Sequence, residues 1–167
     1  MQENNTAETA SNNKHAARFI AMLSLYSHSL KYNELNNLAK TVQNIKKSYL
    51  NKDLFDLELN EEELNKIQLH LPDEEFLEKL LDLVISNEKA IIELIKSSLI
   101  AKWNFDRLDQ AIRAILILAG AELLYNGETA TNIILDEYVT LTKCFYENTE
   151  TGFVNKIIDS MAKRARI

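Results

Sequence analysis

Glycine, proline and cysteine are scarce in this 167-residue chain, which has only 3 Gly, 1 Pro and 1 Cys. Gly and Pro together make up roughly 12% of an average chain, and sandwiches, barrels and propellers need such turn residues about every 8–12 positions. The glycines are isolated, which excludes the Gly-rich phosphate loops of nucleotide-binding folds. The single cysteine, Cys144, excludes an internal disulfide framework and a cysteine-based zinc cluster. The sequence therefore predicts an all-α protein.

Long apolar runs and targeting segments are also missing. The longest nearly unbroken apolar run, 114–121, is far short of the roughly 20 residues that span a bilayer. Residues 1–13 are polar and carry Glu3 and Glu8, which does not fit a signal or transit peptide. We therefore expect a cytoplasmic protein made of a disordered polar tail, 1–13, and one helical domain, 14–167.

The acidic residues are concentrated in the middle of the chain. The net charge is −6, and residues 53–93 hold 13 of the 25 acidic residues but only 3 of the 19 basic ones. That segment therefore has a net charge of −10 and the remainder +4. This distribution favours a basic partner at the acidic surface and an anion near the ends. The alternative is that the charge run is simply a solvated helix face.

Apolar residues recur at helical spacing through the domain, and we expect about seven or eight helices. The first covers 14–30, and the second follows a cap at Asn33. Residues 51–59 are less regular and form a connection.

Pro72 separates two further predicted helices. Asn60 caps the first, and Pro72 ends it because proline cannot donate the helical hydrogen bond. Acidic residues 73–75 begin the next helix, where they complement the helix dipole. Asn87 is expected to begin another.

The most apolar helix follows a fresh cap within 104–109. Its apolar residues lie on more than one face, so we expect it at the centre of the core. Gly127 is placed to stop it in a left-handed conformation. Thr129 or Thr131 begins the following helix, and the last begins near Thr151.

The titratable residues form no recognisable catalytic or metal-binding motif. The three histidines lie in different predicted helices, without the Glu-x-x-His or His-Glu-x-x-His spacing of metal sites. Cys144 lies on an apolar segment, as buried structural cysteines do. The paired carboxylates Asp136 and Glu137 are typical of solvated helix faces. Nothing in the sequence indicates an enzyme.

The start of the first helix is more suggestive. Lys14, His15 and Arg18 cluster there, and Tyr26 lies two turns beyond Arg18. Cations for phosphates and a ring for base stacking are what a single-stranded nucleic acid needs. By itself the pattern is weak, because three cations at a helix start are common and such a tyrosine is more often in the core.

Four segments complete a larger pattern. The strongest is 103–124, WNFDRLDQAIRAILILAGAELL, with its Trp, its Arg-Leu pair and its closing Glu-Leu-Leu. The others are ILDEYVTLTKCF at 134–145, ARFIAMLSLYS at 17–27, and the Phe-Val-Asn that begins at Phe153. In order and spacing they resemble the NusB family of bacterial transcription antitermination proteins, over about 14–165.

This resemblance implies two packed helical subdomains and a binding activity without catalysis, cofactor or metal. Members of the family pair with NusE, a basic ribosomal protein of the small subunit. The pair recognises boxA, an element of single-stranded leader RNA, chiefly of ribosomal RNA operons. It thereby loads the antitermination complex, with other Nus factors, onto RNA polymerase. The acidic middle of the chain contributes to the NusE face in the family, which gives its charge a candidate reason.

The resemblance also assigns site residues. The RNA-binding positions are Lys14, His15, Arg18, Tyr26, Phe76, Phe145 and Phe153. The partner-binding positions are Glu74, Glu75, Glu78, Asp82, Thr149 and Glu150. Ala16 and Gly152 stand where the family often has a cation, so we expect weak RNA binding alone and dependence on NusE. We also expect Arg18→Ala to reduce RNA affinity with little loss of thermal stability.

Two other functions stay open. One is a protein with the NusB fold that has lost RNA binding and acts through protein contacts or self-association, as a monomer or homodimer. The other is an accessory role to a ribosomal RNA cytosine methyltransferase, since NusB-like domains occur fused to such enzymes. This chain itself has neither a Gly-rich cofactor segment nor a catalytic Cys motif.

Overall fold

Helices account for all the regular secondary structure in the described part of the computed structural model, residues 2–31, 34–53, 62 and 70–166. They are α1 (Gln2–Ser29), α2 (Leu38–Leu50), α3 (Glu74–Ser98), α4 (Gln110–Tyr125), α5 (Thr131–Thr142), α6 (Asn148–Ala165) and a short 3-10 helix, Phe105–Arg107. The predicted all-α fold is therefore confirmed. None of the helices in these ranges is long and apolar enough to cross a bilayer.

α4 is the central helix, as its sequence predicts. Most of its residues are buried, and it packs against α1, α3, α5 and α6. Gly120 permits the close approach of two of these neighbours. A Cβ atom at Gly120 would lie 2.9 Å from Ile91 Cγ2 of α3 and 3.2 Å from Met161 Cε of α6. Even the smallest side chain would therefore press on both helices.

The other helices pack around α4 in overlapping pairs. α1 packs against α2 and α3, α3 against α6, and α5 against α6. In α1 every residue from 16 to 25 is buried, so this helix is enclosed through its middle turns. A polar side chain in that stretch must therefore find its hydrogen-bond partners inside the protein.

Side-chain caps mark the helix starts that the sequence predicts after Pro72 and within 104–109. Asp73 Oδ1 accepts a hydrogen bond from the Phe76 amide at 2.9 Å. Asp109 Oδ1 accepts one from the Ala111 amide, also at 2.9 Å. Each cap satisfies an amide that has no partner within its own helix.

Residues 2–13 continue α1, which differs from the disordered tail that their polar composition predicts. Nucleation is the unfavourable step of helix formation, and the buried stretch 16–25 already provides a nucleus. Alanine and glutamate in the extension are also good helix formers. The carbonyl oxygen of Asn13 accepts a hydrogen bond from the Asp73 amide at 2.9 Å, which joins α1 to the start of α3.

Asn87, the predicted start of a separate helix, is the kink at which two helical segments join within α3. Its dihedral angles are non-helical, with φ −130° and ψ 19°. Its Nδ2 donates to the carbonyl oxygen of Leu83 at 2.9 Å. The side chain thus bonds to the preceding turn, and the two predicted helices form one bent helix.

α4 ends at Tyr125, before Gly127. No described glycine has a positive φ, so the prediction of a left-handed Gly127 is wrong. The terminal carbonyls bind a guanidinium instead. Arg166 donates to the carbonyl oxygens at the end of α4 at 2.7–3.1 Å, namely those of Glu122, Leu123 and Asn126.

The remaining predicted boundaries are met in part. α2 begins at Leu38, after Asn37 with a φ of 65°, whereas the predicted cap at Asn33 lies outside the described residues. The short helix predicted after Asn60 also falls outside them, apart from 62 and 70–71. α5 begins at Thr131, and α6 begins at Asn148, three residues before the predicted Thr151.

Candidate nucleic-acid interface

Arg18, one of the predicted RNA-binding cations, lies inside the protein. The residue is 2% exposed, because it belongs to the enclosed stretch of α1. Its Nε and Nη2 donate to the two carboxylate oxygens of Glu122 in α4, both at 2.8 Å. Its Nη1 donates to Glu137 in α5 at 3.2 Å. The bidentate geometry is that of a strong charge-assisted pair, so Arg18 is a structural cation in this fold.

Glu122 is itself fully buried and accepts two further hydrogen bonds. Tyr138 Oη donates to its Oε2 at 2.5 Å, and Asn126 Nδ2 donates to its Oε1 at 3.1 Å. Burial, with the charge of Glu122, raises the pKa of Tyr138 well above its ordinary value. Tyr138 therefore keeps its proton and serves as a donor to the carboxylate.

His15 joins this buried network at its outer end. Its Nδ1 lies 2.5 Å from Glu137 Oε2, and the two side chains are 16% and 18% exposed. Burial alone would raise the pKa of Glu137, but the hydrogen bond and charge of His15, with those of Arg18, lower it overall. Glu137 is thus ionised at neutral pH and holds two of the predicted RNA-binding side chains.

Phe76 is brought together with the cations of α1. The Arg18 Cζ lies 4.7 Å and the Lys14 Nζ 5.6 Å from the centroid of its ring, within the range of cation–π attraction. Lys14 is half-buried and has no ion-pair partner among the described residues. It is therefore the cation in this cluster that is available to an anionic ligand.

Tyr26 and Phe145 are partly buried against the core. The Phe145 ring stacks on buried Phe19, with centroids 6.5 Å apart and planes at 27°. The neighbouring Tyr146 donates a hydrogen bond to Asp109. Burial and that hydrogen bond raise the pKa of Tyr146, and Tyr26 adds to the rise. Tyr26 and Tyr146 are therefore close enough to interact electrostatically.

Phe153 lies in a separate groove next to the only tryptophan of the chain. The centroids of Phe153 and Trp103 are 4.9 Å apart, with planes at 54°. Trp103 is 45% exposed, although tryptophan is highly buried on average. The two rings line an open groove of about 720 Å³ between α6 and the segment that precedes α4. We call it the Trp103 groove, and Thr149 and Glu150 also line it.

The acidic partner-binding candidates lie on α3. Glu75, Glu78 and Asp82 are exposed at helical spacing. Glu74 forms an ion pair of 3.0 Å with Lys46 of α2 and stays half exposed. The predicted partner residues are thus divided between this acidic face of α3 and the start of α6.

Sequence reasoning missed the carboxylates that hold Arg18. Glu137 was expected on a solvated helix face together with Asp136, and only Asp136 is exposed. Glu122 is the lone carboxylate in the most apolar helix, and this could have indicated a buried ion pair, because a buried charge requires a partner.

Cys144 is buried, as its apolar neighbours predict. Among the described residues, no group of His, Cys, Asp and Glu side chains is arranged to hold a metal ion. His28 is buried as well, with Nε2 2.7 Å from the carbonyl oxygen of Glu34 and Nδ1 3.2 Å from Thr41 Oγ1. It connects the end of α1 with the segment leading into α2.

The comparisons with known proteins agree with this architecture. The sequence profile of the NusB family matches residues 15–163. The chain is 36% identical over 99 residues to the transcription antitermination protein NusB of Caulobacter vibrioides, a match that covers 59% of this chain and 66% of that one. It is 35% identical over 94 residues to the protein of the same name from Maricaulis maris, covering 56% and 59%.

These matched stretches span about three fifths of the length of the curated relatives. Among solved structures, NusB of T. maritima superposes with a TM-score of 0.69 at 23% identity, covering 92% of this chain and 93% of that one. This likeness shows that the two share a fold. Because the family profile covers nearly the whole chain, the protein belongs to the NusB family.

Proposed function

We propose that the protein is a non-catalytic, cytoplasmic adaptor in transcription antitermination. It pairs with NusE, binds boxA-type single-stranded RNA and, with other Nus factors, acts on RNA polymerase. Membership in the NusB family is the observation that carries the proposal, and the relatives from C. vibrioides and M. maris are named as transcription antitermination proteins. The surfaces described above supply a physical basis for each of the two binding steps.

The acidic face of α3 supports the pairing with NusE. Glu75, Glu78 and Asp82 are exposed and have no ion-pair partner among the described residues. Such a surface attracts a basic protein and orients it during encounter, which affects the association rate more than the final affinity. Thr149 and Glu150 lie at the start of α6 and line the Trp103 groove, and we propose that they contact NusE at the border between the partner and the RNA.

The cations of α1 support only weak binding of RNA by the protein alone. Arg18 is occupied by Glu122, and His15 by Glu137. We propose that Arg18 acts as a positioning residue for Phe76, and that Lys14 is the residue of this cluster that meets a phosphate. With so few accessible cations at the start of α1, we expect useful RNA affinity to depend on NusE.

A gel-shift titration tests this function. Labelled boxA-like RNA is titrated with the protein, with NusE and with both, at physiological salt. We expect weak shifts with either protein alone and a ternary complex with both. Tight binding of the RNA by the protein alone, or the absence of a ternary complex, would contradict the proposal.

A charge-reversal variant tests the acidic face separately. Glu75→Lys/Glu78→Lys/Asp82→Lys should slow association with NusE by about tenfold, because steering by a charged surface changes on-rates by roughly 10–10³. The matched control reverses three exposed carboxylates elsewhere, namely Glu8, Asp106 and Asp136. Equal effects of the two variants on the association rate would remove α3 from the interface.

The internal pairing of Arg18 favours one alternative, a NusB-fold protein that has lost RNA binding and acts through protein contacts. The same titration distinguishes it. Binding of NusE without any gain in RNA affinity would support the alternative, and sedimentation of the protein alone would show whether it self-associates.

A further inference from the structure

We propose that the Trp103 groove holds a base of the single-stranded RNA, with Trp103 as the stacking platform. Lys102, Arg107 and Lys156 then neutralise the adjoining phosphates. The inference rests on the proposed RNA-binding function. It adds four residues to the RNA-binding candidates and shifts the main contact away from the start of α1.

Trp103 has the exposure and the support that a stacking platform needs. The residue is 45% exposed, and the Phe153 ring packs against the indole with centroids 4.9 Å apart. The Trp103 amide donates to the carbonyl oxygen of Ile100 at 2.9 Å, which fixes the backbone in a turn. An aromatic ring held in this way stacks on any base, since every base has a π face.

Three cations line the same groove as this ring. Lys102 Nζ lies 5.9 Å from the centroid of Trp103, and Arg107 and Lys156 line the same groove. None of the three has an ion-pair partner in the part of the chain that the structure describes. Unpaired cations beside an aromatic platform match the phosphates and bases of a single strand.

Two carboxylates also line the groove, and one of them is already engaged. Asp109 accepts hydrogen bonds from the Ala111 amide and from Tyr146 Oη. Glu150 lies in the first turn of α6, where the helix dipole favours its charge. The unpaired charge facing a ligand is therefore predominantly positive, which disfavours a basic protein such as NusE as the occupant.

The start of α1 offers fewer available cations to RNA than the Trp103 groove does. Arg18 and His15 donate to buried or half-buried carboxylates, and releasing Arg18 would leave Glu122 as an uncompensated buried charge. The groove needs no such rearrangement, because its cations and its indole already face solvent. This contrast favours the Trp103 groove as the main site for the strand.

Fluorescence tests the proposal directly, because Trp103 is the only tryptophan of the chain. The complex of the full protein with NusE is titrated with boxA-like RNA, and the indole emission is followed. The same titration with Trp103→Phe gives the background from NusE. We expect quenching that saturates with the binding curve measured by gel shift.

Variants supply the matched measurements. Trp103→Ala should weaken RNA binding by about 5- to 150-fold, as loss of one stacked base does, and Trp103→Phe should retain most of the affinity. Lys102→Gln/Arg107→Gln/Lys156→Gln should reduce the salt slope by about 2, at about 0.7 per phosphate contact on a single strand. The control triple replaces exposed lysines elsewhere, namely Lys40, Lys89 and Lys143, and should leave the slope unchanged.

The outcomes separate this inference from the proposed function. A ternary complex with unquenched Trp103, and with equal affinity for Trp103→Ala, would overturn the inference and keep the function. A change in emission caused by NusE alone, with none on adding RNA, would assign the groove to the protein partner and overturn it as well. If the wild-type complex binds no RNA, the proposed function fails and the inference fails with it. Circular dichroism of each variant shows that the fold is kept.

Discussion

Arg18→Ala is expected to destabilise the protein severely. The variant removes the cation that faces Glu122, which is 0% exposed, and leaves Tyr138 and Asn126 as its neutral donors. Removing one partner of a buried ion pair costs about 3–5 kcal/mol. For a chain of this size each kcal/mol lowers Tm by about 2–4 °C, so the fall should be about 6–20 °C. This reverses the expectation, drawn from the sequence, of little stability loss.

Urea unfolding followed by circular dichroism at pH 7 measures this effect. The matched control is Lys14→Ala, one turn earlier in α1, which lacks an ion-pair partner among the described residues and should change the free energy of unfolding by about 1 kcal/mol or less. The triple variant Arg18→Met/Glu122→Leu/Tyr138→Phe should recover much of the lost stability, since the buried Tyr138 hydroxyl would otherwise lose its acceptor. Replacing both members of a buried pair by apolar residues is often neutral or stabilising.

The RNA affinity of the same variants completes the test. If Arg18 is structural, the folded fraction of Arg18→Ala should bind boxA-like RNA with NusE nearly as well as the wild-type protein. A variant that keeps its free energy of unfolding within about 1 kcal/mol, and yet loses RNA affinity, would place Arg18 at the RNA surface and refute the reasoning.

Three further predictions concern the core, the C-terminal end and acid. Gly120→Ala should lower the free energy of unfolding by about 1–3 kcal/mol through overpacking. Gly152→Ala should raise it by about 0.5–1 kcal/mol, because an added Cβ at Gly152 would meet nothing within 4 Å. Chemical denaturation measures both changes. Arg166→Ala should cost about 2–3 kcal/mol because several carbonyls lose a charged donor, measured in the same way. Burial raises the pKa of Glu137, but its bond to His15 and the neighbouring positive charge lower that pKa overall. The ionised carboxylate therefore stabilises the fold at every pH above the ordinary pKa of a glutamate. This stability is lost as the pH falls through the lowered pKa of the folded protein. Unfolding measured from pH 7 to pH 3 should show that loss, and Glu137→Gln should reduce it.

The features that sequence reasoning predicted correctly depend on neighbours within one or two turns. The central position of α4 follows from apolar residues on several of its faces, and the helix starts after Pro72 and within 104–109 follow from proline, acidic and short polar residues at those points. Asn87 shows the limit of this reasoning. Its side chain bonds to Leu83, as capping residues bond locally, but here the result is a bend in a continuing helix.

The features that sequence reasoning missed depend on contacts between distant parts of the chain. Arg18 and Glu122 are 104 positions apart, so no local sequence pattern contains both residues. Arg166 replaces the expected glycine cap of α4 from 40 positions beyond Asn126. In both cases the local pattern is compatible with two outcomes, and tertiary packing decides which one occurs.

The enclosure of α1 explains why the charges of this protein are arranged as they are. Residues 16–25 are buried on all sides, so the charge of Arg18 must be neutralised inside the protein. Carboxylates on the facing helices α4 and α5 do this. The proposed nucleic-acid contacts must then come from side chains beyond that stretch. Lys14 at its border is one such residue, and the turn around Trp103 offers several more. The division of roles is thus a consequence of helix packing: the middle of α1 stabilises the fold, and the proposed ligand contacts fall to exposed side chains outside that stretch.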